Sequence, residues 1–457
     1  MFTIISIIVL ILSWHLFSKV AGSMKLTQLN MVSWIFYVQL FASCFIASIL
    51  VVNGWEGNHI VSVVSDNSRF YGWLAIQYTM IAMPLGMLFI NYLYGYESNR
   101  KLFLSYINSP TIPSLSQKDS FVKYPLYALS LISVFAVIYT YMKLNTNPFY
   151  AIYEGMDAFA LAGLRQEIGG EFKGSFTVRN LFGMTLTPIL SYIAYAYWCM
   201  TKKRQYFIWF LVMFVFTFFI LTHDLSKSPF AFFIFGFLLI NVLINGGIQK
   251  KTFFFFGVAG LILIVTAIVF ITRTTDFAKI AEGLVKRIIL SQAIGTFLSF
   301  EYFTESHDFI GFASFLPAIR TALGMDVSES AYRILAIYFD PEGYRAGVVG
   351  VANSLFIQEA WANFELFGVI IAPFYVGMFI QLIYMYFLKS KKTPIMLGIL
   401  AYMSSKMPIT GGFNYFIFPD ALLRIFFIFV SVYVAALFIK NFQRPHKNEI
   451  SLFKNDS

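Results

Sequence analysis

Phe367-Gly-Val-Ile-Ile-Ala-Pro-Phe-Tyr-Val-Gly-Met-Phe-Ile-Gln-Leu-Ile-Tyr-Met-Tyr-Phe-Leu388 runs for 22 residues without a charged side chain and stops at Lys389-Ser-Lys-Lys392. As an α-helix it is roughly 33 Å long, and the hydrocarbon core of a bilayer is about 30 Å thick. The stretch therefore reads as a transmembrane helix ending in a cationic stop. On the same template, working outward, the chain offers eleven spans. Eight precede it: Phe2–Phe17, Asn30–Val52, Tyr71–Tyr94, Tyr124–Met142, Asn180–Met200, Tyr206–Thr222, Pro229–Ile248 and Thr252–Thr272. Two follow, Thr393–Pro408 and Asp420–Ile439; the first is the weakest of the eleven, being short and carrying Lys406. Met1 to Phe17 has neither a basic leader nor a small-residue cleavage site and reads as a retained first span.

Composition points the same way. Hydrophobic residues make up 58% of the 457, and charged residues only 12%, about half of what a water-soluble surface needs. The expected fold class is all-α: a single polytopic membrane domain over 1–457. Cys44 and Cys199 both sit in apolar runs, and the five His are scattered without metal-ligand spacing, so neither a disulfide framework nor a metal site is expected.

The net charge of +10 is a topology signal. Loops on alternate sides of the spans hold 18 of the 33 basic residues against four acids, net +14, and the rest of the chain is net −4. Positive loops stay cytoplasmic, which places the N-terminus outside and the C-terminus inside and makes a nucleic-acid partner unnecessary. Two outside loops are long, 143–179 and 273–352. Inside the second, Ile288–Phe300 is apolar but too short to cross, and is expected to lie on or dip into the membrane.

The cations differ across the membrane. The inner set is 15 Lys to 3 Arg, whereas the outer set is 9 Arg to 6 Lys, with seven of those Arg in the two long loops. Arginine presents a rigid fork that grips carboxylate or phosphate bidentately, so the outer face suits an anionic ligand. The plainer alternative is pairing with loop acids, of which the second loop has nine.

Three segments carry candidate chemistry. In Gly347 to Gly368, Asn353 or Ser354 is placed to cap a helix on which Glu359 and Asn363, four apart, share a face. Glu359 would sit at the outer boundary among Phe356, Trp361 and Phe364, where desolvation favours the protonated form that a general acid or base exploits; the alternative is a structural carboxylate. Leu221-Thr-His-Asp-Leu-Ser-Lys-Ser-Pro229 joins two spans outside, and Lys227 with the following helix N-terminus would make a small anion site, or merely a charged turn. In Glu305-Ser-His-Asp308 the consecutive residues cannot form a hydrolase triad, which leaves His307 as a second candidate base or a surface residue. No Walker A, GxGxxG or Asp-x-Asp occurs, which argues against metal-dependent transfer from nucleotide sugars. Spans one to nine are nearly free of ionisable groups, which argues against an ion-coupled carrier.

With these residues the chain resembles the O-antigen polymerase (Wzy) group, the oligosaccharide repeat-unit polymerases of bacterial inner membranes. The likeness lies in the layout of spans and two outer loops and in three short pieces. Arg165-Gln-Glu-Ile-Gly-Gly-Glu-Phe-Lys-Gly174 is similar to the Arg- and Gly-bearing first loop of the group. Gln358-Glu-Ala-Trp-Ala-Asn-Phe-Glu-Leu-Phe-Gly368 resembles its Glu-aromatic-x-Asn-Phe-Gly segment. Thr222 to Ser228 resembles the Thr-x-Ser-Arg turn of the related ligases, with Lys227 where Arg is usual. The Arg-x10-Gly pattern of some members is missing: no outer Arg has Gly eleven residues on.

The resemblance implies a GT-C-like glycosyltransferase architecture and metal-independent glycosyl transfer on the periplasmic face, with no cofactor. Donor and acceptor would both be oligosaccharides on undecaprenyl pyrophosphate, the product an O-antigen or capsule-type polysaccharide. A Wzz-type chain-length regulator and a Wzx-type flippase would be partners alongside the lipid bilayer. Arg165, Arg179, Lys227, Arg320, Arg333 and Arg345 are the candidates for pyrophosphate, Asn363 for substrate, and Glu359, then His307, for the base. A ligase passing glycan to lipid A core and a flippase or transporter are the competing expectations.

Overall fold

The computed structural model describes residues 1–55, 59–112, 122–156, 158–170, 172–225, 228–251, 289–290, 292–304, 307–314, 330–345, 354–407, 409–419, 422–431 and 433–435, with positions 254, 257, 258, 262 and 276. Among them there is no strand; the protein is all-helical and polytopic. We number α1 Phe2–Ala21, α2 Met31–Val52, α3 Asp66–Leu93, α4 Arg100–Asn108, α5 Lys123–Met142, α6 Pro148–Tyr153 and α7 Ala158–Gly170. Then follow α8 over 178–201, α9 Arg204–Thr222, α10 Ser228–Asn245, α11 Ile294–Tyr302, α12 Ala331–Phe339, α13 Ile357–Lys389, α14 Pro394–Lys406 and α15 Asn414–Ala435.

Among the described residues seven helices are long and apolar enough to cross a membrane: α1, α2, α3, α5, α9, α13 and α15. Each coincides with an expected span. Helix α10 is a shorter apolar helix, α8 runs for 24 residues from a polar start at Arg179, and α14 is only 13 residues long. The expected span Thr252–Thr272 lies almost wholly outside the described residues.

The bundle is pinned by backbone contact between α3 and α13. A methyl at Gly86 would run into the carbonyl of Phe374, and one at Gly377 into the carbonyl of Met83. Two glycines facing each other's partner helix let the backbones touch, the usual means of binding helices where lipid competes for apolar side chains. Buried polar side chains add to this: Gln381 Nε2 of α13 donates to Asn91 Oδ1 of α3 at 2.7 Å, and Tyr384 Oη ties α13 to the carbonyl of Ala21 in α1 at 2.9 Å.

Two helices are widened into π-helical turns, α2 over Ile35–Phe45 and α8 over Val178–Leu186. Such turns re-aim side chains and recur at functional sites; here they carry Gln39 and Arg179.

The first long loop is folded. Ala151, Leu164 and Ile168 of α6 and α7 make a small separate core, and Asn145 Nδ2 donates to Glu167 Oε1 at 2.7 Å. In the second loop the apolar run condenses into α11, whose face Ile294–Phe300 is buried against α3 and α13. It is too short to cross, as expected, but it wedges into the bundle and does not lie along its surface.

Candidate functional site

Two groups of polar side chains gather at the ends of these helices. The first surrounds Glu359 on the opening turn of α13. The expected cap at Ser354 is not made: the Ser354 hydroxyl instead accepts the N–H of Thr296 at 2.9 Å and pairs with its hydroxyl at 2.6 Å, while Asn353 lies outside the described residues. The helix is started by the Phe356 N–H, which donates to the carbonyl of Ile409 at 2.8 Å. It breaks again at Phe364 and Glu365, where Glu365 adopts φ 51° and ψ −141°, a conformation that strains any residue but glycine. Gly368 lets the chain fold back there, because a Cβ would strike the carbonyl of Ala360. The break separates a short outer piece carrying Gln358, Glu359 and Asn363 from the long apolar remainder.

Glu359 is 3% exposed. Its Oε2 accepts the backbone N–H of Asn414 at 2.9 Å and its Oε1 accepts Asn414 Nδ2 at 2.9 Å. The same amide reaches the Ser314 carbonyl at 2.6 Å, and the Ser314 hydroxyl donates to Asn363 Oδ1 at 2.8 Å. Gly412 is packed so closely that a methyl there would lie 2.5 Å from Oε2. The network thus joins three segments far apart in sequence: Ser314 in the second long loop, the start of α13, and the 410–414 turn. The donors hydrogen-bonded to it are neutral, the backbone N–H and the side-chain amide of Asn414. A buried carboxylate surrounded by neutral donors keeps the basicity that pairing with a guanidinium would quench.

The second group gathers at the end of α9, in the turn His223-Asp224-Leu225, where Leu225 has φ 60°. Arg165 of α7 ties this turn down: its Nε donates to the Asp224 carbonyl at 3.1 Å and its Nη2 to the Leu225 carbonyl at 3.3 Å. Arg179, buried at the start of α8, donates from Nη1 to the Ile168 carbonyl at 2.9 Å, with its guanidinium 4.6 Å from the Phe172 ring centre and 4.7 Å from that of Phe176. The Asp224 charge reaches Arg179, His223 and Lys406. Burial pushes the His223 imidazole below its usual value, with Asp224 opposing. Arg424 of α15 exerts its charge on Tyr402 of α14. Cations from α7, α8 and α14 are therefore drawn to the one acid, Asp224.

No protein family, curated protein or solved structure matches the chain. Its chemistry has to be read from these two groups.

They are joined by residues 406–414. Lys406 ends α14, the Ile409 N–H donates to Gln39 Oε1 at 2.8 Å, and the Ile409 carbonyl receives Phe356. By chain lengths, Lys406 and Glu359 lie within roughly 20 Å of each other. Of the expected site residues, the structure brings Arg165 and Arg179 to one turn and Glu359 and Asn363 to one network. Arg333 and Arg345 are exposed, on α12 and on the short helix Pro341–Arg345. His307 is exposed and stacked on Tyr302 at 3.9 Å, and does not join Glu359. Lys227 and Arg320 lie outside the described residues. Sequence reasoning missed Asn414, Gly412, Ser314, Lys406 and Arg424 as members of the site. For Lys406 the signal was present, as a cation spoiling the weakest span.

Proposed function

We propose that the chain is a lipid-linked oligosaccharide polymerase, transferring a glycan from one undecaprenyl pyrophosphate to a sugar hydroxyl on another. Glu359 takes the proton of the acceptor hydroxyl as its oxygen bonds the donor's anomeric carbon. The bond from that carbon to the diphosphate oxygen breaks, and the electron pair leaves on the diphosphate, which Arg165, Arg179, Lys406 and Arg424 receive. Positive forks aimed at the departing anion do the work a metal ion does elsewhere. The observation that carries this reading is a buried carboxylate, bonded only to neutral donors among the described residues, within roughly 20 Å of a cation cluster. The setting we propose is a bacterial inner membrane with eleven spans, both long loops and the N-terminus periplasmic, and chain-length regulator and flippase as partners.

The test is the length distribution of surface polysaccharide. Glu359→Gln and Arg165→Ala are each expected to collapse a long ladder to single repeats while the protein stays in the membrane. If both keep long chains, the reading fails. Supplying lipid-linked single repeats without a core acceptor separates the neighbouring activities: a polymerase lengthens them, a ligase leaves them, and a flippase changes only their sidedness.

A further inference from the structure

The Glu359 network contains two buried polar atoms that no described residue satisfies: Asn363 Nδ2 and Asn414 Oδ1. Every other polar atom of these two side chains is used. Asn363 Oδ1 accepts the Ser314 hydroxyl at 2.8 Å, and Asn414 Nδ2 donates to Glu359 at 2.9 Å and to the Ser314 carbonyl at 2.6 Å. Leaving a buried donor and a buried acceptor unpaired is costly, and the two are of opposite kind, joined through one serine beside the carboxylate.

A donor and an acceptor together are the complement of one hydroxyl group, which accepts along a lone pair and donates its hydrogen. They do not suit an anion, which could use Asn363 Nδ2 but would meet both the Asn414 oxygen and Glu359. We propose that Asn363 and Asn414 form a specificity subsite for a neutral pyranose: one ring hydroxyl accepts from Asn363 Nδ2 and donates to Asn414 Oδ1, and its neighbour is thereby turned toward Glu359. The sugar enters past the half-buried turn carrying Gly411 and Gly412. This deepens the polymerase reading by naming what selects the acceptor, and it rests on that reading only for the fate of the sugar.

The experiment uses full-length protein in lipid nanodiscs and equilibrium binding of methyl pyranosides (gluco, galacto, manno and N-acetylglucosamine forms) with the monodeoxy analogues of whichever binds. The wild type is expected to prefer one parent glycoside over one of its deoxy analogues by about tenfold, the usual effect of stranding a buried polar pair. Asn363→Leu is expected to erase that ratio. A merely structural asparagine would weaken parent and analogue alike and leave the ratio intact, and that result overturns the proposal. Absence of binding by every glycoside at 50 mM (about the weakest affinity worth assigning to a subsite) overturns it equally. Ladder assays on the same proteins keep the two readings apart. Long chains with an unaltered deoxy ratio in Asn363→Leu sink the subsite alone, whereas selective glycoside binding in a protein that lengthens nothing sinks the polymerase.

Discussion

Gly412→Ala is the sharpest probe of the Glu359 arrangement, because it touches the carboxylate without altering it. The added methyl carbon would sit 2.5 Å from Oε2 and 3.2 Å from Cδ. Ordinary contact begins near 3.4 Å, so either the carboxylate or the turn must give by about 0.9 Å. The turn cannot move freely, since its next residues supply the Asn414 N–H and amide that bind Glu359 at 2.9 Å. If the carboxylate retreats by that amount, the bond to the Asn414 N–H stretches beyond 3.5 Å and is lost. A charge-assisted hydrogen bond of this kind contributes roughly 1.5–3 kcal/mol, and its loss strands a buried donor. Helix packing elsewhere is untouched, so the variant should insert and purify normally, with its thermal unfolding midpoint lowered by a few degrees, on the order expected for that loss. Chain elongation on lipid-linked repeats should fall at least tenfold, since a carboxylate displaced by about 1 Å no longer meets the hydroxyl it must deprotonate. Purified Gly412→Ala protein that elongates at the wild-type rate would show that Glu359 is held there for structure alone.

Other positions give independent tests. Arg165→Ala removes two bonds from an exposed guanidinium to the 223–225 turn; elongation should drop about tenfold with little change in unfolding, read by initial rates and melting on one preparation. Gly377→Leu drives a side chain into the Met83 carbonyl and should cost more than about 3 kcal/mol, seen as loss of a monodisperse peak on gel filtration. Gly163→Ala, in a helix with open space around it, should be neutral or stabilising by up to about 1 kcal/mol. For His223 the sign follows from burial: with its folded value depressed, the unfolded chain takes up a proton that the folded chain refuses. Stability should therefore be flat above the ordinary value of 6.5 and fall as pH drops below it; His223→Gln should flatten that slope in melts between about pH 5 and 8.

The sequence made the membrane-spanning frame legible because hydropathy is a local property: a run such as Phe367–Leu388 announces itself without knowledge of its neighbours. Glu359 was legible for a related reason, as a lone carboxylate set among aromatics at the edge of such a run. Its partners were not. Asn414 lies 55 residues away and Ser314 lies 45 residues before it in a loop of mixed character, and nothing in either neighbourhood marks a side chain as bound to a distant carboxylate. The arginines show the converse. Residue type favours all those expected outside equally, but the structure carries Arg165 and Arg179 to the Asp224 turn, where the first long loop folds on its own small core of Ala151, Leu164 and Ile168.

Lys406 shows what a sharper reading would use. A cation at the end of a 13-residue apolar helix looks like a flaw in a membrane span, and an unpaired ammonium in lipid is expensive. The structure removes the flaw by turning that helix inward, against α8 and α10, where Asp224 faces the ammonium. Short length and a charge are both tolerable in a helix that neighbours surround, and intolerable in one that lipid surrounds. The weakest span in the hydropathy profile is thus largely enclosed by protein, and its end leads straight into the turn that holds Glu359. Weakness in a span, combined with a cation at its outer end, is a signal for the site that motif and residue type do not supply.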